Sequence, residues 1–564
     1  MSDVQRRVDE IRYRSSEMEN HLIDTYRKGG IDRREFVRRG TVIGMSMGTV
    51  SFLASACGSG DKGDGAESTP APTDAKVKPG GTVRAAINTP AGAVDPITVA
   101  DDGGLAVLGQ AGEYLVWSNN ELEAEPRLAE SWTPSEDASV WTFKIRQGVK
   151  FHDGKPMDAE DVAASINRLS DPDSGSQALS AFSGVLGKNG AKAVDATTVE
   201  FSLEAPNGSF PYLVSSDNYN TIILPRDYDG GYEDNQIGTG PFKLEKFTQG
   251  QGATYVKNPD YWDPKRQPNP DRTEIRFYAK EQARVLALQS GEIDAVTQFS
   301  PVGGRALLTD PNIVVQESGT AAHREVHMRC DKPPFDDPRV RQAMALVLDR
   351  PALVDGLLQG KGKLGNDSPF SPAFTYTNTD VPQRAKDVEK AKQLMSEAGV
   401  ADGFSVELNG QDAFEMPDLA QLIQQAAKEI GVDMKLTITD PSTYYGDAVF
   451  GNSTWLDSTM GITDYGHRAV VNVFLSAALG SDGTWNAAHF KNPEFDALVK
   501  DFVAQSDIEK QTELAGQIQQ MLLDETPMLI PYFFTLLTGV RKGFSGIEAT
   551  GMAHIQLTKA GQTA

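Results

Sequence analysis

The chain has 564 residues, with 78 Asp and Glu against 54 Lys and Arg, a formal net charge of −24 at neutral pH. So acidic a surface excludes nucleic acid as a partner, and two cysteines in this length exclude a disulfide framework. The length suffices for two or three domains, and beyond the N-terminal segment no stretch approaches the ~20 apolar residues of a membrane helix.

The first element in chain order is an address. Asp32-Arg33-Arg34-Glu35-Phe36-Val37-Arg38-Arg39 precedes a weakly apolar, glycine-dotted run from Gly40 to Ala56 that stops at Cys57. Paired Arg33 and Arg34, a mild hydrophobic segment and small residues before a cysteine form the layout of a bacterial twin-arginine export signal ending in a lipobox. Residues 1–56 are therefore expected to be removed and Cys57 to carry lipid, although Leu53 stands one place further back than the usual lipobox leucine. Three glycines and several Ser and Thr make the run too short and polar for an ordinary membrane anchor. Residues 57–79, with Gly58-Ser59-Gly60 and Thr69-Pro70-Ala71-Pro72, read as a flexible tether. Cys330 is the only other cysteine, so an acylated Cys57 leaves no intramolecular disulfide, and the core must hold by packing.

The body opens with strand patterns. Thr82 to Ile87, Val140 to Ile145 and Thr198 to Leu203 alternate large apolar with smaller or polar side chains, as a half-buried sheet requires. Asp158 to about Leu169 is predicted as a helix, which makes this part α+β. After about residue 337 the period lengthens. Val388, Ala391, Leu394, Met395 and Ala398 form one helical stripe closed by Gly399, and Leu419, Leu422, Ile423, Ala426, Ala427 and Ile430 form another. Strands Phe404 to Leu408 and Met434 to Ile438 follow them, and helix, strand, helix, strand predicts an α/β domain. A last helix spans about Asp507 to Asp524 and ends at Pro527, before the apolar segment Met528 to Leu537.

Several segments carry a family likeness. Pro126-Arg127-Leu128-Ala129-Glu130-Ser131-Trp132, Trp141-Thr142-Phe143, Arg146 to Gly154 with His152-Asp153-Gly154, and Ala159-Glu160-Asp161-Val162 come first. Gly238-Thr239-Gly240-Pro241-Phe242, Gly291-Glu292-Ile293-Asp294-Ala295, Phe335 to Ala343 and Asn492-Pro493-Glu494-Phe495-Asp496 follow in order. Together they resemble solute-binding protein family 5, the extracytoplasmic receptors of ABC importers for oligopeptides, dipeptides, nickel complexes and opines. The resemblance implies a two-lobed periplasmic-binding-protein-like fold of the large class, without enzymatic activity or cofactor. It implies lobe I at 80–117, 238–327 and 527–564, an inserted subdomain at 118–237, and lobe II at 328–526. The partners expected are a peptide or peptide-like solute, an ABC permease and its ATPase, and the membrane through the lipid anchor, with the receptor a monomer on the outer face of the cytoplasmic membrane. The alternatives are a receptor for a nickel complex, an opine or another small solute, or a sensory or adhesion lipoprotein on the same fold.

The expected binding segment is Trp455 to Arg468, leading to Val473-Phe474-Leu475. By resemblance Asp464 occupies the place of the aspartate that pairs with a ligand's free α-amine. Family peptide binders often continue Asp-Tyr/Asn-x-Asp-Pro, whereas here Gly466-His467-Arg468 replaces the second Asp-Pro and a carboxylate gives way to a cation. If Arg468 faces the cleft, the site suits an anionic group beside an amine. Tyr465 and Trp455 are cleft-wall candidates, with a core role as the plain alternative. No metal site is expected. His323 and His327 share a face of a strand or a helix and are the only pair that invites one. His152-Asp153-Gly154 with Glu160 and Asp161 reads as a turn entering a helix, and Gly238 and Gly240 as a tight backbone path. The only Gly-x-Ser-x-Gly, Gly44 to Gly48, lies in the export signal, and Gly356 to Lys361 is one residue short of a phosphate-binding loop, so catalysis has no carrier.

Overall fold

A computed structural model describes residues 76–564; Arg33, Arg34, Cys57 and all but the last residues of the tether lie outside the described residues. The described chain is held from its first residues, for Val77 bridges Thr563 and the Ala564 amide donates to the Lys76 carbonyl.

Strand β1 (Thr82–Asn88) is followed by helix α1 (Asp102–Ala111), whose cap is Asp101, accepting from the Gly104 amide. A separate four-stranded antiparallel sheet comes next, from β2 (Ala129–Pro134), β3 (Val140–Ile145), β4 (Ala191–Asp195) and β5 (Thr198–Ser202), in the order β2-β3-β5-β4. Helix α2 (Ala159–Ser170) packs on it through Val162, Ile166 and Leu169. The segment that invited an acid/base reading is structural. Asp158 caps α2, Asp161 returns the bond to the Asp158 amide, and both carboxylates hold Arg226.

The main sheet gathers β6 (Phe242–Thr248), β7 (Gly252–Lys257), β8 (Arg272–Tyr278), β9 (Ala295–Phe299), β10 (Ile313–Met328), β11 (Ser405–Gln411), β12 (Asp433–Thr439), β13 (Met460–Tyr465) and β14 (Tyr532–Arg541). Its main path, β12-β11-β13-β10-β14-β9-β1-β8-β7-β6, passes through the whole body. The sixteen-residue β10 joins the two halves. Residues 313–319 pair with β14, residues 323–328 pair with β13, and the register shifts between Gly319 and His323. In that gap the Ala321 amide donates to His467 Nδ1 at 2.9 Å.

Apolar cores sit on both halves. One gathers Val83, Leu105, Leu108 and Tyr255 around β1 and α1, and another gathers Val326, Met344, Leu408, Ile423 and Ile462 under β10, β11 and β13. Three of the family motifs are structural joints. Fully buried Asp294 accepts from the Arg84 amide and from Arg541, tying β1 to β14. Arg341 donates to the carbonyls of Phe335, Glu525 and Thr526, satisfying the end of helix Ile508–Glu525. A Cβ on Gly238 would stand 2.0 Å from the Ala111 carbonyl oxygen, so backbone proximity accounts for that glycine.

Candidate ligand-binding site

Strands β11, β12 and β13 run parallel, so Gln411, Thr439 and Tyr465 end at the same edge of the sheet. In open α/β sheets the crevice outside the carboxyl ends of the strands is where ligands bind. Asp464 stands there, half-buried, with Arg324 of the antiparallel β10 opposite it in register. Its Oδ1 accepts from the Tyr445 hydroxyl and from Gln411 Nε2, both at 2.5 Å, and Gln411 Nε2 also donates to the Tyr445 oxygen at 2.9 Å. Burial first, and the Asp464 carboxylate second, push the Tyr445 pKa up, so the phenol stays a donor. Both bonds fall on Oδ1. Among the described residues no hydrogen bond falls on Oδ2, which is left for an incoming donor.

Arg324 completes the edge. It donates to Glu415 Oε2 at 3.1 Å and lies between the rings of Phe414 and Phe534, 5.0 and 4.3 Å from their centroids. Tyr532 donates to Glu415 Oε1 at 2.8 Å, which fixes that carboxylate. Phe414 is 74% exposed and its backbone is left-handed, at φ 55°. A large aromatic ring so exposed is costly unless it has a surface to meet. Sequence reading missed Gln411, Tyr445, Arg324, Glu415 and Phe414. The signal that finds them is the strand order itself, because residues just after β11 and β12 must share an edge with the end of β13.

Tyr465 and Trp455 are core residues, 7% and 5% exposed. Successive strand residues face opposite ways, and Tyr465 points away from Asp464, against His323, Phe474, Trp455 and Trp485. Trp455 meets Tyr445 edge-on at 5.3 Å, so the pair braces the Asp464 cluster from behind. His323, Glu325 and His327 share the buried face of β10. His323 Nδ1 lies 2.8 Å from the Ala321 carbonyl and His327 Nε2 lies 3.3 Å from that of Ser458, so each of these nitrogens is the donor. Desolvation lowers both pKa values to about 4 and raises that of Glu325 to about 8. Among the described residues no group of three or more His, Cys, Asp or Glu side chains could hold a metal ion.

Arg468 lies apart from the Asp464 cluster. It lines a cavity of about 70 Å³ with Gln177, Tyr212, Asp217, Tyr219 and Met552, between the loop after β13 and the segment that carries the four-stranded sheet. Ala469 and Val470 pack into the core of that sheet, and the Gly208 amide donates to the Val503 carbonyl at 2.8 Å, so the two sides touch. His467 Nδ1 accepts from Ala321, which places the neutral ring's proton on Nε2, 3.9 Å from Asp217 Oδ1. That distance is no hydrogen bond. Desolvation pushes Asp217 up to about 7 and His467 down to about 3, so the pair is a neutral contact and not an ion pair.

A mixed sheet in two halves, spanned by shared strands and with a polar crevice at the strand ends, defines a two-lobed binding protein. The family profile for bacterial extracellular solute-binding proteins, family 5 Middle, matches residues 123–469, and the chain belongs to that family. Heme-binding protein A of Haemophilus influenzae is 27% identical over 518 residues, covering 86% of this chain and 92% of the relative. A probable peptide ABC transporter periplasmic-binding protein of Sinorhizobium fredii is 28% identical over 455 residues, covering 74% and 81%. The structure of HbpA2 from Haemophilus parasuis superposes with a TM-score of 0.75 at 24% identity, covering 86% of this chain and all of that one. The protein is thus a solute-binding receptor of the kind that serves ABC importers, and not an enzyme. No helix among the described residues is long and apolar enough to cross a membrane.

Proposed function

We propose that this receptor captures a peptide or peptide-like solute by its free amine and delivers it to an ABC permease, tethered to the outer face of the membrane by lipid on Cys57 after export directed by Arg33 and Arg34. The observation that carries the ligand reading is Asp464: one oxygen saturated by Tyr445 and Gln411, the other open, at the carboxyl ends of three parallel strands. A desolvated ammonium needs such a carboxylate, and the two fixed donors hold it without moving as the ligand arrives. Lobe I then comprises 80–117, 238–327 and 527–564, with the subdomain 118–237 inserted and lobe II at 328–526. β10 and β14 serve as the crossings, and Phe414 of lobe II meets Arg324, near the end of the second lobe I segment, at the edge of the crevice. The peptide ABC transporter relative supports the solute class.

The test is calorimetric titration of trialanine and N-acetyl-trialanine into the protein and into Asp464→Ala. The free peptide should bind, and the substitution should weaken it by about 2–5 kcal/mol, the cost of truncating one partner of a buried charge pair. Equal affinity for the free and acetylated peptides would remove the amine from the reading.

A further inference from the structure

The tip of one hairpin is buried on the far side of the crevice. Strands Val116–Ser118 and Ala124–Pro126 are joined by a loop that Asn119 knits together, its Oδ1 accepting from the Glu121 and Glu123 amides at 3.0 and 2.9 Å. Leu122 follows at φ 57°, in the left-handed region that costs a leucine energy and that asparagine or glycine enters easily. Yet Leu122 is only 4% exposed, and the apolar core it belongs to is that of Phe370, Tyr376, Phe474 and Phe502, all in lobe II. Tyr212 holds the tip by donating to the Leu122 carbonyl at 2.7 Å. A turn needs no leucine at this position, whereas a contact made across the crevice does.

The exchange of side chains runs both ways. Val470, from the loop after β13, is buried in the core of Trp141, Phe201 and Phe210, and the Val471 amide next to it donates to the Tyr376 hydroxyl at 3.0 Å. A third contact is made by backbone. Asn207 donates its amide to the Ala138 carbonyl, accepts from Trp141 Nε1, and turns the chain by accepting from the Ser209 amide on its side chain. That turn leaves the Gly208 amide to donate to the Val503 carbonyl at 2.8 Å, one of the last four of helix Pro493–Ala504, which have no partner within their own helix. A Cβ on Gly208 would stand 2.1 Å from the Gln505 carbonyl oxygen, so glycine is what allows the approach. All three contacts lie outside the Asp464 cluster.

We infer that Leu122, Val470 and Gly208 form a latch that holds the receptor partly shut before any solute arrives, with Leu122 as its positioning residue. Opening would return two buried apolar side chains to water and leave a helix end without its donor, so the latch biases the two arrangements by itself. Solute affinity then depends on a contact the solute never makes, because the shut fraction of the ligand-free protein scales the affinity observed. The inference deepens the receptor reading above and rests on it for the lobes, but not for the identity of the solute.

The experiment is hydrogen exchange of the ligand-free protein, read at the Gly208 amide, together with its radius of gyration by small-angle scattering. Leu122→Asn keeps the left-handed turn and removes the apolar tip. It should speed Gly208 exchange about 10- to 100-fold, the burial of one leucine written as an equilibrium ratio, and enlarge the radius, while the amides of β10 and β14 keep their protection. Leu122→Met should restore most of both. Gly208→Ala should enlarge the radius as well, because the φ of Gly208 lies outside the left-handed region and suits alanine, but the added Cβ meets Gln505. Asp464→Ala should change neither readout, and trialanine should bind Leu122→Asn more weakly than the wild type. If trialanine binds neither protein while Gly208 responds, the peptide reading fails and the latch stands. An unmoved Gly208 amide and radius in Leu122→Asn would overturn the latch. So would protection lost evenly across β10 and β14, the mark of a leucine that only holds the fold.

Discussion

Two buried aspartates show how differently one side chain can be kept. Asp367 is wholly buried, accepts from Arg350 Nη2 on both oxygens at 2.7 Å, from Arg384 Nη1 at 2.6 Å and from the Ile530 amide at 3.1 Å. The Asp217 side chain is also buried, but among the described residues only the Ser118 hydroxyl approaches its carboxyl, and the basic side chain within 4 Å of it is a neutral histidine at 3.9 Å. The first charge is neutralised by its neighbours, and the second persists only by keeping its proton. A fold tolerates such an unmatched group where a ligand or solvent will meet it. Asp217 lines the cavity beside Arg468, while Asp367, Asp294 and Arg341 belong to the joints.

The largest test of that contrast is Asp367→Ala. It strands the buried Arg350 and the largely buried Arg384 and should cost about 3–5 kcal/mol, measured by urea unfolding; a loss below about 1 kcal/mol would place the cluster with exposed ion pairs. Asp217→Asn should act the other way and only at higher pH. With its pKa raised from 3.8 to about 7, native Asp217 binds a proton that the unfolded chain releases, so it lowers stability as pH rises across that window. By pH 8 the variant should be the more stable by up to about 4 kcal/mol, with the two proteins equal near pH 4. His467 titrates in both and cancels from the difference. Parallel pH profiles would show that Asp217 is solvated. The smallest effect belongs to Asn492, which caps helix Pro493–Ala504 by accepting from the Glu494 and Phe495 amides. Asn492→Ala should cost about 1 kcal/mol in thermal unfolding without touching ligand affinity, and altered affinity would mean that this helix, which meets Gly208, senses the crevice.

Local patterns were legible because they are local. The strands at Thr82 and Val140, the helix capped by Asp158 and the stripe ending at Gly399 follow from periodicity and caps, and they stand where the sequence predicts them. The helix carrying Leu419 and Ile423 ends as an α-helix at Ala427 and finishes in a 3-10 turn, Lys428–Ile430, with Gly431 left-handed behind it. The site was half legible. Asp464 and Arg468 stood out through resemblance and through departure from it, but Gln411 and Tyr445 carry no motif; Gln411 reaches Asp464 because β11 and β13 pair across fifty residues of chain, and Tyr445 because the helix Pro441–Tyr445 follows β12 at the same edge. Burial of Tyr465 and Trp455 depends on which face of β13 meets the core, and composition is silent on that.

The bond from the Ala321 amide to His467 Nδ1 joins two nitrogens across the shifted register of β10. Such a pair carries a nitrogen–nitrogen spin coupling through the hydrogen bond, which an ordinary strand amide bonded to a carbonyl oxygen lacks. Ala321 is therefore a built-in spectroscopic reporter. Its coupling persists while the loop that carries His467 and Arg468 stays seated, vanishes when that loop lifts away, and survives acidification until the imidazole itself takes up a proton near pH 3.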